Sequence, residues 1–301
     1  MRRWSTVVAV AGAAVLLLTG CGAPAGVDRD LTDDWAALTE PKAFTPPTGV
    51  CQSGEFAETA YLSAFDPVDC ASPHMTETVH VGTFTAAAAT RQTPPPPGSA
   101  EYRTAYRECD ARASGYVGAD WRSGRLWLGV ALPSTQAWAG GSRWFRCDLV
   151  ELTTVEDEGN PTTRTGSLRG GLKTGSPLAL RCYAVKLDSK KRIDKMPAAE
   201  CTKTHNGEFT GVWTAPEGNY PTRDADWVRF YAECRNVVAK YVNAPADANM
   251  RFRTGVVALP GTPDDWKAGN RGVRCYLWIS NRNLTASLKG AGVAALPIQF
   301  E

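Results

Sequence analysis

The sequence predicts an α+β chain built from two tandem related domains. Each is an antiparallel sheet with one main helix packed on one face and two disulfides. Three observations lead there. Eight cysteines divide into two sets of four: Cys51, Cys70, Cys109 and Cys147 are separated by 19, 39 and 38 residues, and Cys182, Cys201, Cys234 and Cys275 by 19, 33 and 41. The residues around matching cysteines repeat in order and type. Each set holds one long amphipathic segment among short strand-like runs, without the alternating β-α-β-α series of a parallel sheet.

The first 20 residues read as a lipoprotein signal peptide. Arg2 and Arg3 supply the charged region, and residues 7–18 form an apolar run too short for a confident membrane-spanning helix. Leu18-Thr19-Gly20-Cys21 then matches a lipobox, so Cys21 is the expected lipidated N-terminus. Attached chains such as palmitate contribute about 0.8 kcal/mol per buried CH₂, and two or more anchor a protein stably. Residues 21–46 are expected to form a flexible tether. This address places the protein on the extracytoplasmic face of the cell membrane.

Charge narrows the function classes. Removing Arg2 and Arg3 from the 33 Lys+Arg leaves the basic residues balanced against 31 Asp+Glu. A nucleic-acid partner is therefore not expected, since phosphate binding needs a basic surface. The chain is 43% hydrophobic, enough for a proper core over two domains.

Domain copy one is expected at residues 47–176 and copy two at 177–301. The run from Cys70 through His74 to Glu77 lines up with that from Cys201 through His205 to Glu208, both reading C-x3-H-x2-E. In copy one Tyr102, Tyr106, Cys109, Ala113, Tyr116 and Val117 share a helix face; in copy two Trp227, Phe230, Cys234, Val238 and Tyr241 do. Ser99 and Asp224 are the expected N-caps. A strand ending in Leu-Pro follows each helix. Then comes W-x-x-G-x-R-x-x-R-C, as Trp138, Gly141, Arg143, Arg146 and Cys147, and as Trp266, Gly269, Arg271, Arg274 and Cys275. The copies close on Ser167-Leu168-Arg169-Gly170 and Ser287-Leu288-Lys289-Gly290.

Four cysteines in one copy allow three pairings. The first two flank neighbouring strand starts, the third faces the core from the helix, and the fourth enters the sheet beneath it. The expected bridges are Cys51–Cys70, Cys109–Cys147, Cys182–Cys201 and Cys234–Cys275.

The run Val68-Asp69-Cys70-Ala71-Ser72-Pro73-His74-Met75-Thr76-Glu77, followed by a strand, a cysteine-bearing helix and the Trp–Gly–Arg–Cys motif, resembles the septum formation domain of actinobacterial envelope proteins. The resemblance covers residues 48–290. Copy two departs from it, with Ala199 for the valine and Thr204 for the proline before His205. It implies an envelope protein loosely linked to cell division. It carries no reaction or ligand over to particular residues.

Few residues suggest chemistry. His74 with Glu77 and His205 with Glu208 could form metal or acid–base sites, but each pair offers two ligands where zinc wants three or four. Both pairs are expected to be structural, with no metal and no cofactor. No catalytic residue is nominated: neither G-x-S-x-G nor H-E-x-x-H occurs, and no cysteine is left free. Trp138, Trp266, Trp213 and Trp227 are expected in the core, and Arg143 and Arg271 beside it as structural forks. Trp121, Trp127 and Trp144 lack a tryptophan at the matching place and are the candidates for an exposed contact. The expected function is a noncatalytic interaction module binding an unidentified envelope protein or wall component. The alternatives are a binder of a small solute or wall glycan, its pocket lying between the domains, and a wall hydrolase.

Overall fold

The structure is a computed structural model and describes residues 43–156 and 159–298. The expected signal peptide, Cys21 and most of the expected tether lie outside the described residues. The last residues of that tether belong to the fold: Pro46 is buried, and the carbonyl of Phe44 accepts from Trp144 Nε1 at 2.8 Å. Among the described residues no helix is long and apolar enough to cross a membrane.

The first half contains β1 (Val50–Gln52), β2 (Thr59–Ala60), β3 (Pro67–Val68), β4 (Thr76–Thr83), α1 (Ala86–Ala89), α2 (Ala100–Val117), β5 (Leu126–Pro133), α3 (Thr135–Ala139) and β6 (Trp144–Glu151). The second contains β7 (Cys182–Tyr183), β8 (Lys186–Leu187), β9 (Ile193–Lys195), β10 (Ala198–Ala199), β11 (Gly207–Thr214), α4 (Asp224–Val242), β12 (Gly255–Leu259), α5 (Pro263–Ala268) and β13 (Gly272–Trp278). The first sheet runs β2-β5-β6-β4-β1-β3 and the second β10-β7-β11-β13-β12. Read from β5 and from β12, the shared five strands follow one order. Even the irregularities match. The long strand breaks register between Thr78 and His80 against β6, and between Phe209 and Gly211 against β13. The halves differ by β2, which pairs parallel to β5 and so departs from the all-antiparallel expectation, and by the β8–β9 hairpin.

Alternation places the core. In β6, Phe145, Cys147 and Leu149 point to the helix side, as Val273, Cys275 and Leu277 do in β13. Over the first sheet α2 buries Tyr102, Ala105, Tyr106, Cys109, Ala113 and Val117. The Ser99 side chain caps it by accepting from Tyr102 N at 3.2 Å, and Gly118 ends it at φ 87°. The expected cap of α4 needs correction. Asp224 is already helical; Arg223 holds the cap position, and the carboxylate of Asp226 reaches back to its N–H at 3.1 Å. An acidic residue in the third helical position satisfies orphan donors that the cap side chain leaves open.

Disulfides join Cys51 to Cys70, Cys109 to Cys147, Cys182 to Cys201 and Cys234 to Cys275. Each half therefore has one bridge between helix and sheet and one at the sheet's far side.

The chain crosses between halves slightly later than residue 176. Arg125 N donates to Leu178 O and Leu180 N to Ser123 O, and Leu178 sits in the first core. Buried arginines then hold the halves together. Arg122 Nε and Nη2 donate to Asn270 Oδ1 at 2.9 and 2.8 Å, while its Nη1 meets Asp110 at 2.7 Å. Arg274 returns from the second half, donating through Nε to Arg122 O and through Nη2 to Leu126 O, both at 2.9 Å. Both guanidinium groups approach the Trp121 ring, Arg122 at 4.4 Å and Arg274 at 5.6 Å from its centroid. This corrects its assignment as an exposed contact: Trp121 is 1% exposed and Trp144 4%. Trp121 fills the seam between the halves, and Trp144 is covered by the segment around Phe44.

Candidate functional site

The two His–Glu pairs sit where a loop enters the long strand. His74 N donates to Arg164 O, and His205 N to Leu284 O, so backbone fixes both loops. The imidazole Nδ1 of His74 donates to Ser72 O at 2.9 Å, and that of His205 to Lys203 O at 2.7 Å. Both side chains are buried, as are Glu77 and Glu208.

The carboxylates carry the recurring geometry. Glu77 accepts from Tyr116 Oη at 2.5 Å, Ser167 Oγ at 2.5 Å and Leu168 N at 2.6 Å. Glu208 accepts from Tyr241 Oη at 2.6 Å, Ser287 Oγ at 2.8 Å and Leu288 N at 2.9 Å. The closing Ser-Leu-x-Gly segments are thus receptors for a buried carboxylate, and a tyrosine at the end of each helix completes the site. Such hydrogen bonding offsets the cost of burying a polar group out of water. Burial, followed by the hydrogen bond its hydroxyl donates to Glu77, raises the Tyr116 pKa; burial and the bond donated to Glu208 do the same for Tyr241.

The pairs differ in one atom. His205 Nε2 lies 3.3 Å from Glu208 Oε1, whereas His74 Nε2 makes no hydrogen bond among the described residues. Cys51, His74 and Glu77 bring one potential ligand atom each within 4.8 Å of one another, as do Cys182, His205 and Glu208. Both sulfurs are in disulfides, and a disulfide sulfur lacks the thiolate charge a metal requires.

The Trp–Gly–Arg motif fastens the loop ahead of each main helix. Trp138 Nε1 donates to Arg91 O, and Trp266 Nε1 to Gly218 O, both at 2.8 Å. Gly141 and Gly269 turn the chain at φ 97° and 124°, where a side chain would be strained. The arginine then folds back. Arg143 stacks 4.3 Å over Trp138 and donates to Trp138 O and Ala89 O; Arg271 stacks 4.5 Å over Trp266 and donates to Trp266 O and Glu217.

A cleft of about 790 Å³ opens between the halves. Phe56 and Trp127 meet edge to face at 4.8 Å on one wall, and Tyr220 and Trp227 line the other. Trp127, nominated as an exposed contact, is partly covered and donates to Asp265 Oδ1 at 2.8 Å across the seam. Trp213 and Trp227, expected in the core, are half-buried.

The cleft floor holds a further difference between the halves. In the first half Arg146 is paired with Asp148, Nε to Oδ2 at 2.8 Å. The matching residues are Arg274 and Tyr276, and the Tyr276 hydroxyl donates to Glu156 Oε1 at 3.1 Å, a carboxylate that lines the same cleft. Arg274 is 7% exposed and forms no salt bridge among the described residues; both its hydrogen bonds, from Nε and Nη2, go to backbone carbonyls. Burial lowers its pKa, with Arg122 adding to that and Tyr276, Glu156 and Asp120 opposing it.

A protein-family model described as Septum formation matches residues 48–275 in one continuous span across both halves. No curated protein and no solved structure matches the chain.

Proposed function

The chain belongs to the septum formation family, and we propose that it serves cell division as a noncatalytic interaction module of the envelope. In this reading Cys21 carries the lipid and the folded halves stand at the extracytoplasmic face of the membrane. The partner is an envelope protein or wall component. One observation supports the noncatalytic reading above others. The repeated carboxylates, Glu77 and Glu208, are buried and their oxygens are occupied by hydrogen bonds that close the fold. A catalytic carboxylate needs access to substrate. Apolar side chains on α4, with Val228 66% and Tyr231 39% exposed, provide a surface for a protein contact.

The test combines location with capture. Wild type and Cys21→Ser are expressed in cells, each with a photo-crosslinking residue at Val228. Wild type should fractionate with membranes and yield a discrete crosslink to an envelope component. Cys21→Ser should be released and lose that crosslink. Membrane retention of the variant would remove the lipid anchor from the proposal, and absence of any crosslink from wild type would remove the α4 contact.

A second reading rests on the cleft. Its volume and aromatic walls suit a small solute or wall glycan.

A further inference from the structure

We propose that the β8–β9 hairpin is a membrane-contact element that docks on the surface of an anionic lipid bilayer. It adds a second contact to the membrane-face reading of Cys21 and rests on that reading.

The hairpin has no counterpart in the first half and forms a two-stranded sheet of its own. A ribbon of two strands is only marginally stable in water. Asp188 fixes its tip. The Oδ1 accepts from the backbone N–H groups of Lys190 and Arg192 at 2.8 and 2.9 Å, and Oδ2 accepts from Arg192 Nε at 2.9 Å. Lys191 stands in the turn at φ 60°, in the left-handed region where glycine costs less. A long cationic side chain is thus kept at the tip against a backbone cost.

Charge is concentrated on this ribbon. Residues 186–195 carry Lys186, Lys190, Lys191, Arg192 and Lys195 against Asp188 and Asp194. Asp188 is already paired with Arg192 at 2.8 Å. The four lysines are exposed and form no salt bridge among the described residues. Lys186 and Lys195 stand directly opposite each other across the strands. Like charges so placed destabilise a sheet, and an anion beside them removes the repulsion. Elsewhere the chain's charges balance, so the field is local and acts within about 10 Å at ordinary salt. It serves a surface that touches the hairpin rather than steering from afar.

Apolar residues select a bilayer over a soluble polyanion. Leu187 and Ile193 pair across the strands and are 42% and 38% exposed. A bilayer interface takes apolar side chains into the acyl boundary while its phosphates meet the lysines. A soluble polyanion would engage the lysines alone and leave Leu187 and Ile193 in water.

The test places an environment-sensitive fluorophore at the tip, on Ser189→Cys, in the full-length chain carrying Cys21→Ser. Vesicles of phosphatidylcholine, with or without phosphatidylglycerol, are titrated in. A saturable blue shift is expected with the anionic vesicles and none with the neutral ones. Lys190→Gln/Lys191→Gln/Lys195→Gln changes exposed positions only and should raise the half-saturating lipid concentration by about tenfold or more. Leu187→Ser/Ile193→Ser should shrink the blue shift itself. No shift, an equal shift with neutral vesicles, or unchanged titration of the lysine variant would overturn the proposal. An equal response to soluble polyphosphate, indifferent to Leu187→Ser/Ile193→Ser, would overturn the bilayer as occupant and assign the hairpin to an anionic polymer. The background carries no lipid at residue 21, so failure here leaves the lipid anchor to be decided by the Cys21→Ser fractionation in cells.

Discussion

Tyr116 donates its hydroxyl to Glu77 at 2.5 Å, tying the last turn of α2 to the strand that begins beside the first disulfide. The same carboxyl group takes the Leu168 N–H, so helix, strand and closing segment meet on one buried side chain. Tyr241 and Glu208 repeat the arrangement in the second half.

Replacing either carboxylate should therefore cost stability rather than remove a reaction. In Glu77→Gln the amide NH₂ faces donors that the second oxygen once accepted. Hydrogen bonds to charged groups contribute roughly 1.5–3 kcal/mol, so a loss of about 2 kcal/mol is expected. For a fold of this size that lowers the melting temperature by roughly 4–8 °C. Glu208→Gln should behave alike. Thermal denaturation followed by circular dichroism decides it, and an unchanged midpoint would show that the carboxylate is not a structural anchor.

The likeness between the two halves was legible in the sequence because short local motifs occur in both. C-x3-H-x2-E, W-x-x-G-x-R and Ser-Leu-x-Gly each occur twice, and the five strands common to the halves follow one order, which the motifs alone do not give. Their partnership was not legible. Glu77 meets Tyr116 and Ser167 across separations of 39 and 90 residues, and Tyr116 looks like one more apolar residue on a helix stripe. Features belonging to only one half misled for a physical reason. Trp121 has no counterpart because it fills the seam, which exists once, so a missing match signalled burial rather than exposure. The different setting of Arg274 did have a signal: Tyr276 follows its Arg-Cys pair where the first half has Asp148.

The seam should depend on Asn270. Its Oδ1 accepts two N–H groups of Arg122 and, at 3.1 Å, the N–H of Gly272. Asn270→Ala leaves those donors buried and unmet, at an expected cost of about 1–3 kcal/mol. The loss should fall on the joint between halves. Hydrogen exchange should speed up at Arg122 and Gly272 while the amides of β4 stay protected. Uniform acceleration across both halves would contradict a local role.

Acid should act on the start of α4. The Arg223 side chain, aided by the backbone N–H groups of Arg223 and Thr222, holds the Asp226 pKa at about 2, below its ordinary value of 3.8. A depressed carboxylate stabilises the fold above its unfolded pKa, and that stabilisation is lost as pH falls through the folded value. Wild type should therefore exceed Asp226→Asn in melting temperature at pH 5, with the gap closing between about pH 4 and 2. A gap independent of pH across that window would mean that the side-chain charge is not what caps the helix.

The disulfides should rank by loop length. In the chain-entropy model, a closed loop constrains the unfolded ensemble more as it lengthens. Cys51–Cys70 spans 19 residues and Cys109–Cys147 spans 38, so their removal should cost about 3 and about 4 kcal/mol. Packing sharpens the contrast. Cys109 and Cys147 are both fully buried where α2 meets β6, so the double variant Cys109→Ala/Cys147→Ala also leaves unfilled volume in the core. Cys70 lies at a partly exposed turn, where relaxation is easier. Denaturant titration of the two double variants should place Cys109→Ala/Cys147→Ala below Cys51→Ala/Cys70→Ala, with the corresponding pair in the second half ordered alike. The reverse order would mean that the Cys51–Cys70 bridge acts chiefly by holding the loop that carries His74 and Glu77, and that this buried carboxylate site collapses without it.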